Sequence, residues 1–161
     1  MESEGPAFSH LDEQGRARMV NVSDKAVTSR RAVARCVVTM RPETAAAIAG
    51  GTVPKGDVLA VARVAGIMAA KRTSDTIPLC HPVMLSGVRV TLTPGPDRVE
   101  IEAEVETVER TGVEMEALNA CAAAALTVYD MCKSADREMT VSELALWEKS
   151  GGRSGDFRRP G

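Results

Sequence analysis

The stretch AAKRTSDTIPLCHPVML, residues 69–85, sets Lys71, Arg72, two prolines and one of only two histidines between apolar runs. Pro78 and Pro82 fix φ on either side of Leu79, Cys80 and His81, so the segment reads as a stiff loop. Such a loop can hold an imidazole and backbone groups against a ligand with little entropy loss. A structural loop with a hydrogen-bonded histidine fits the pattern equally well. The two cations just upstream tilt the reading toward an anionic, ring-containing ligand.

Four other stretches carry types that could join that chemistry. In TVPKGDV, Lys55 stands at a loop-to-helix junction beside Gly56, where free backbone N–H groups and a full positive charge suit a phosphate. The spacing is not that of a nucleotide-triphosphate loop, and a solvated turn lysine reads as well. In TGVEMEAL, Glu114 and Glu116 lie in a first helical turn, where they either favour the helix dipole or accept from the N–H edge of a guanine-like ring. In YDMCK, Asp130 and Lys133 are spaced i, i+3 on one helix face; in a dry site that pair is a general acid and base, and on a surface it is an ordinary ion pair. In EKSGGRSGDF, Lys149 and Arg153 flank flexible glycines, as a basic lid over phosphates or a simple tail.

The elements that must position these groups follow from periodicity. Residues 1–18 read as a flexible arm, 19–150 as one domain and 151–161 as a Gly-rich basic tail. MVNV reads as a short strand and AVARCVVTM as a buried one. RPETAAAIAGG makes a short helix with Pro42 near its first position and Gly50-Gly51 at its stop. KGDVLAVARVAGIMAAKR makes a second helix capped by Asp57, apolar nearly all round, which implies burial on more than one side. VMLSGVRVTLT and RVEIEAEVETV are strands joined by PGPD; in the latter, Val99, Ile101, Ala103 and Val105 alternate with four glutamates, giving one wet face. An Ala-rich helix from about Glu114 to Lys133 and a last strand, EMTVSELALWEKS, complete the domain. The order β-α-β-β-α-β predicts an α+β, ferredoxin-like antiparallel sheet with helices on one face.

Glu116 and Asp130 are then about 21 Å apart along one helix. One nucleotide-sized ligand cannot easily touch both ends within a single subunit. If both ends serve a site, it is more simply built across an interface, one subunit giving the Glu end and its neighbour the Asp-Lys end.

Composition narrows the class. A net charge of −2 gives no general attraction to nucleic acid or membrane, and aromatic residues, at 2%, offer no stacking platform for bases. The four cysteines, Cys36, Cys80, Cys121 and Cys132, form no CxxC pair, so they read as reduced, mostly buried thiols rather than metal ligands. No leader and no membrane-length apolar run is present, so the expected location is the cytoplasm.

With these motifs in view, the chain resembles the cyclic pyranopterin monophosphate synthase (MoaC) family. The similarity runs from HLDEQGRARMVNVSDKAVTSR to EKSGGRSGDF and includes GDVLAVARVAGIMAAKRTSDTIPLCHP, TGVEMEALNA and AALTVYDMCK. The resemblance implies a lyase of molybdenum cofactor biosynthesis that turns (8S)-3′,8-cyclo-7,8-dihydroguanosine 5′-triphosphate into cyclic pyranopterin monophosphate and pyrophosphate. It implies a homohexamer, a trimer of dimers, with sites at subunit interfaces. By resemblance, Asp130, Lys133 and Lys55 are catalytic. Leu79, Cys80, His81, Glu114, Met115 and Glu116 bind substrate, with Arg30, Lys71 and Lys149 around its phosphates. No metal site or cofactor is required, although Mg²⁺ could accompany the triphosphate. The chemistry suits a lysine whose pKa is lowered by neighbouring cations beside an ionised carboxylate. Asn21 stands where the family usually has Asp, and Arg153 where it often has Lys. The competing reading is an oligomer that binds a GTP-like nucleotide without turnover.

Overall fold

The computed structural model describes residues 10–161. The first half of the expected arm, residues 1–9, lies outside them. Within residues 10–18, Asp12 accepts from the backbone N–H groups of Gln14 and Arg16, closing a tight turn bridged by Leu11 and Ala17.

Nine elements follow: β1 (Thr28–Thr39), α1 (Pro42–Ala49), α2 (Val58–Lys71), α3 (Thr73–Thr76), β2 (Leu85–Pro94), β3 (Arg98–Glu109), α4 (Glu114–Cys132), β4 (Thr140–Ser150) and β5 (Phe157–Arg158). The sheet order is β2-β3-β1-β4-β5, antiparallel throughout. Its first four strands have the split β-α-β arrangement expected of the sequence. Three details differ. Met19–Val22 forms no strand, because a four-residue alternation supplies no partner and both sheet edges belong to other segments. The loop after α2 contains the single turn α3, and the tail folds back to add β5 beside β4.

Period-two alternation in β3 places Val99, Ile101, Ala103 and Val105 on the helix side, all at or near zero exposure. The glutamates face the other way and meet arginines: Glu104 pairs with Arg31 and Arg89, and Glu102 with Arg35. These pairs are partly solvated, so they set register more than they stabilise.

On the covered face α4 lies over β1 and β3, and α2 packs against both α4 and β2. Small residues allow the close approach. Ala117, Ala120, Cys121, Ala124 and Ala125 are fully buried, and a Cβ on Gly66 would come within 3.0 Å of the Ala120 carbonyl. Asn119 ties the helices further, donating to Ala69 O at 3.1 Å and Thr73 Oγ1 at 3.3 Å. No aromatic side chain is fully buried among the described residues.

Asp57 caps α2 as expected, accepting from Ala60 N at 3.0 Å. The outer side of that helix is not buried within this chain: Val61, Val64 and Met68, spaced i, i+3, i+7, are 46%, 55% and 48% exposed. No helix of the described residues is long and apolar enough to cross a membrane.

Candidate active site

The predicted site residues gather at the two ends of α4. At its N-terminal end, α3 and the proline-bracketed loop turn the chain from α2 into β2. Cys80 N donates to Ile77 O at 3.1 Å, and Thr107 Oγ1 donates to Met84 O at 2.5 Å, pinning the loop to β3. The Cys80 thiol faces Glu116 Oε1 at 3.5 Å. Burial and the negative charge of Glu116 push that thiol up to about 11, so it is a neutral donor at physiological pH. Glu116 is itself buried, and desolvation raises its carboxyl above the ordinary range.

Glu114, two residues earlier, is more open and meets Lys149 Nζ at 3.9 Å. Lys149 belongs to β4 and also contacts Ser154 Oγ in the turn beyond it. Ser154 lines a cavity of about 510 Å³ with Lys25, Ala26, Thr28, Arg30, Gly152 and Arg153. Every charged side chain in this lining is a cation, and the Thr28 hydroxyl oxygen is buried without a partner among the described residues. The lining therefore suits a polyanion. Arg30, only 9% exposed, is held by the carbonyls of Glu109 and Arg110 at 3.0 and 3.1 Å.

Two glycines let the chain pass over Arg30. Gly151 and Gly152 have φ of +86° and +82°, and a Cβ on them would lie 2.2 Å from Ser29 O and from Arg30 Nη1, respectively. Gly151→Ala is expected to lower stability by about 1–3 kcal/mol, since both the backbone region and the space exclude a side chain. An unchanged denaturant midpoint would show that the turn relaxes without cost.

At the C-terminal end of α4, Asp130 Oδ1 pairs with Lys133 Nζ at 2.8 Å, and Lys55 Nζ donates to the Asp130 carbonyl at 3.0 Å. Both members of the pair are open to solvent in the single chain, at 62% and 51% exposure. The hydrogen bond to Lys133 lowers the Asp130 pKa, and the same bond raises that of Lys133. The lowered lysine pKa anticipated from the sequence is therefore not a property of this chain. The charge that meets Lys133 is the Asp130 carboxylate, and its hydrogen bond and attraction outweigh the cost of desolvation.

Thus Leu79–His81, Glu114–Glu116, Lys149 and Arg30 form one connected region. Lys71 borders it in a second cavity, beside Val83 to Val88. Lys55, Asp130 and Lys133 stand apart at the other end of the helix. Lys25, Thr28 and Ser154 were not picked out by sequence reasoning. The one available signal was the placement of Lys25 just ahead of Arg30 in SDKAVTSRR.

Residues 19–152 match the MoaC family. The chain is 61% identical to the cyclic pyranopterin monophosphate synthase of Pelotomaculum thermopropionicum, over 96% of this chain and 92% of that protein. It is 63% identical to cyclic pyranopterin monophosphate synthase 3 of Mycobacterium tuberculosis, covering 94% and 86%, and 60% identical to the synthase of Chloroflexus aurantiacus, covering 95% of each.

Proposed function

This chain belongs to the MoaC family, and from that premise we propose that it converts (8S)-3′,8-cyclo-7,8-dihydroguanosine 5′-triphosphate to cyclic pyranopterin monophosphate, releasing pyrophosphate. It is an enzyme of molybdenum cofactor biosynthesis, a lyase, like its relatives of that name. The finer reading is of a cytoplasmic homohexamer whose sites are shared between subunits.

The observation that carries this reading is the continuous polar track from the cationic cavity through Ser154 and Lys149 to Glu114. Phosphates at Lys25, Arg30 and Arg153 would place the attached ring near the carboxylates of α4 and the His81 loop. Cyclic phosphate formation expels a polyanion, and preorganised cations stabilise the charge that develops on it. Ring opening and reclosure move protons without net electron transfer, so no redox cofactor is required. Any Mg²⁺ accompanies the triphosphate.

Asp130, Lys133 and Lys55 enter the same site from a neighbouring subunit. Within the pair, Lys133 holds the proton and Asp130 the charge, so the lysine begins as donor and the carboxylate as acceptor. The exposed stripe of Val61, Val64 and Met68 supplies apolar surface for the assembly this requires.

The direct test incubates purified protein with the cyclo-dihydro triphosphate and follows pyrophosphate and the fluorescent oxidised pterin. Both are expected in equal amounts. A folded oligomer that binds the nucleotide without forming either product would establish the non-catalytic nucleotide-binding alternative instead.

A further inference from the structure

We propose that Glu116 is a positioning residue, which fixes the Leu79–His81 loop through the thiol of Cys80 rather than by touching substrate. The proposal rests on the reading of that loop as substrate-binding. Glu116 occupies the first turn of α4, where a carboxylate ordinarily stands in water. Here it is 3% exposed, and its Oε2 is buried without a hydrogen-bond partner among the described residues. Among the described residues no cation pairs with it, whereas its neighbour Glu114 has Lys149. Its one side-chain partner among the described residues is Cys80. A buried carboxyl without a cation is costly to keep, so its retention has to be explained by what it holds.

The loop itself has few ties. Pro78 and Pro82 have no N–H to donate. Between Ile77 and Val83, the side-chain hydrogen bonds among the described residues are those of the Cys80 thiol, to Glu116 and to the His81 carbonyl at 3.8 Å. Cys80 and His81 are adjacent, so the direction of the imidazole depends on where Cys80 is held. The charged groups that bear on the thiol are Glu116 and, more weakly, Glu114, both from α4. Lys149 of β4 is engaged by Glu114. Glu116 therefore reaches the substrate side of the loop in two steps, by hydrogen bond and then along the backbone.

Two measurements test this. The first is alkylation of Cys80 by iodoacetamide across pH, read by mass spectrometry; the other three cysteines are buried. Glu116→Gln keeps the size of the side chain but removes its charge, so it should shift the alkylation profile to lower pH and raise the rate at pH 8 several-fold. An unmoved profile would overturn the contact.

The second is a double-mutant cycle on kcat/KM and on the dissociation constant for the cyclo-dihydro triphosphate. Glu116→Ala and Cys80→Ala are each expected to lose up to about 100-fold in kcat/KM, carried by weaker binding and misplacement of the ring. The double variant should be no worse than either single one, and Cys80→Ser should recover most of the loss. Additive losses, or a Cys80→Ala protein that behaves like the parent, would show that Glu116 acts on substrate directly. Alkylation needs no turnover, so a wrong assignment of the reaction and a wrong role for Glu116 give different results.

Discussion

Lys133→Ala lowers turnover by about 10²–10⁴-fold and leaves the fold intact. The backbone N–H of Lys133 caps α4 by donating to Tyr129 O and is kept in the variant, while the half-exposed side chain pairs with Asp130, so its loss opens no cavity. Its effect must come through proton transfer and charge at the reacting centre. Asp130→Ala should fall in the same range, with binding of the triphosphate largely kept, because the cations of the phosphate cavity, Lys25, Arg30 and Arg153, are untouched by the change. A loss confined to KM would instead make the pair a binding element.

The same variant tests the shared site. A Lys133→Ala subunit supplies an intact Glu114 end, and a Glu114→Ala subunit supplies an intact Lys133 end. After random exchange, roughly a quarter of the interfaces hold both intact partners, so activity should return to roughly a quarter of the parent. No recovery despite exchange proven by mass spectrometry would require each subunit to work alone. It would also require one ligand to span about 21 Å of helix, which the substrate does not.

The second large effect concerns stability. Asp136, in the turn between α4 and β4, has no exposed surface. Its carboxylate accepts from Arg41 N at 2.9 Å, Thr44 Oγ1 at 3.2 Å and Glu138 N at 3.2 Å, with Arg41 Nε at 3.3 Å. Arg41 is the N-cap of α1 and makes no side-chain cap of its own. Asp136 thus caps α1 from a distant part of the chain and anchors the end of α4 to it. Asp136→Ala removes the partner of the buried Thr44 hydroxyl and of two partly buried backbone N–H groups, and is expected to cost about 2–4 kcal/mol, read from the denaturant midpoint. A parent-like midpoint would mean that water replaces the carboxylate fully.

The same residue contributes to acid sensitivity. Donation from the Arg41 backbone N–H, chiefly, holds the Asp136 carboxyl below its ordinary range. Its unfolded value is about 3.9, so the stabilisation is complete above that pH and is lost as pH falls through the lower folded value. The parent should therefore lose stability more steeply than Asp136→Ala on acidification below about pH 4. Parallel acid limbs would assign the acid response to other carboxylates.

What the sequence by itself determined is what neighbours along the chain control. Alternation in Arg98–Glu109 set the two faces of β3, Asp57 marked the start of α2, and the motif order marked the family. Backbone sterics and side-chain periodicity act within a few residues, so those features are legible without coordinates.

Tertiary structure alone decided which groups meet. The Cys80–Glu116 contact joins residues 36 apart, the Arg30 anchor 79 and the Asp136 cap 95. The recruitment of Lys25 and Ser154 to one cavity and the added strand β5 are of the same kind. Each depends on where the chain returns in space and on which charge ends nearest. Hydrogen bonding and Coulomb attraction act over a few ångströms whatever the separation in sequence.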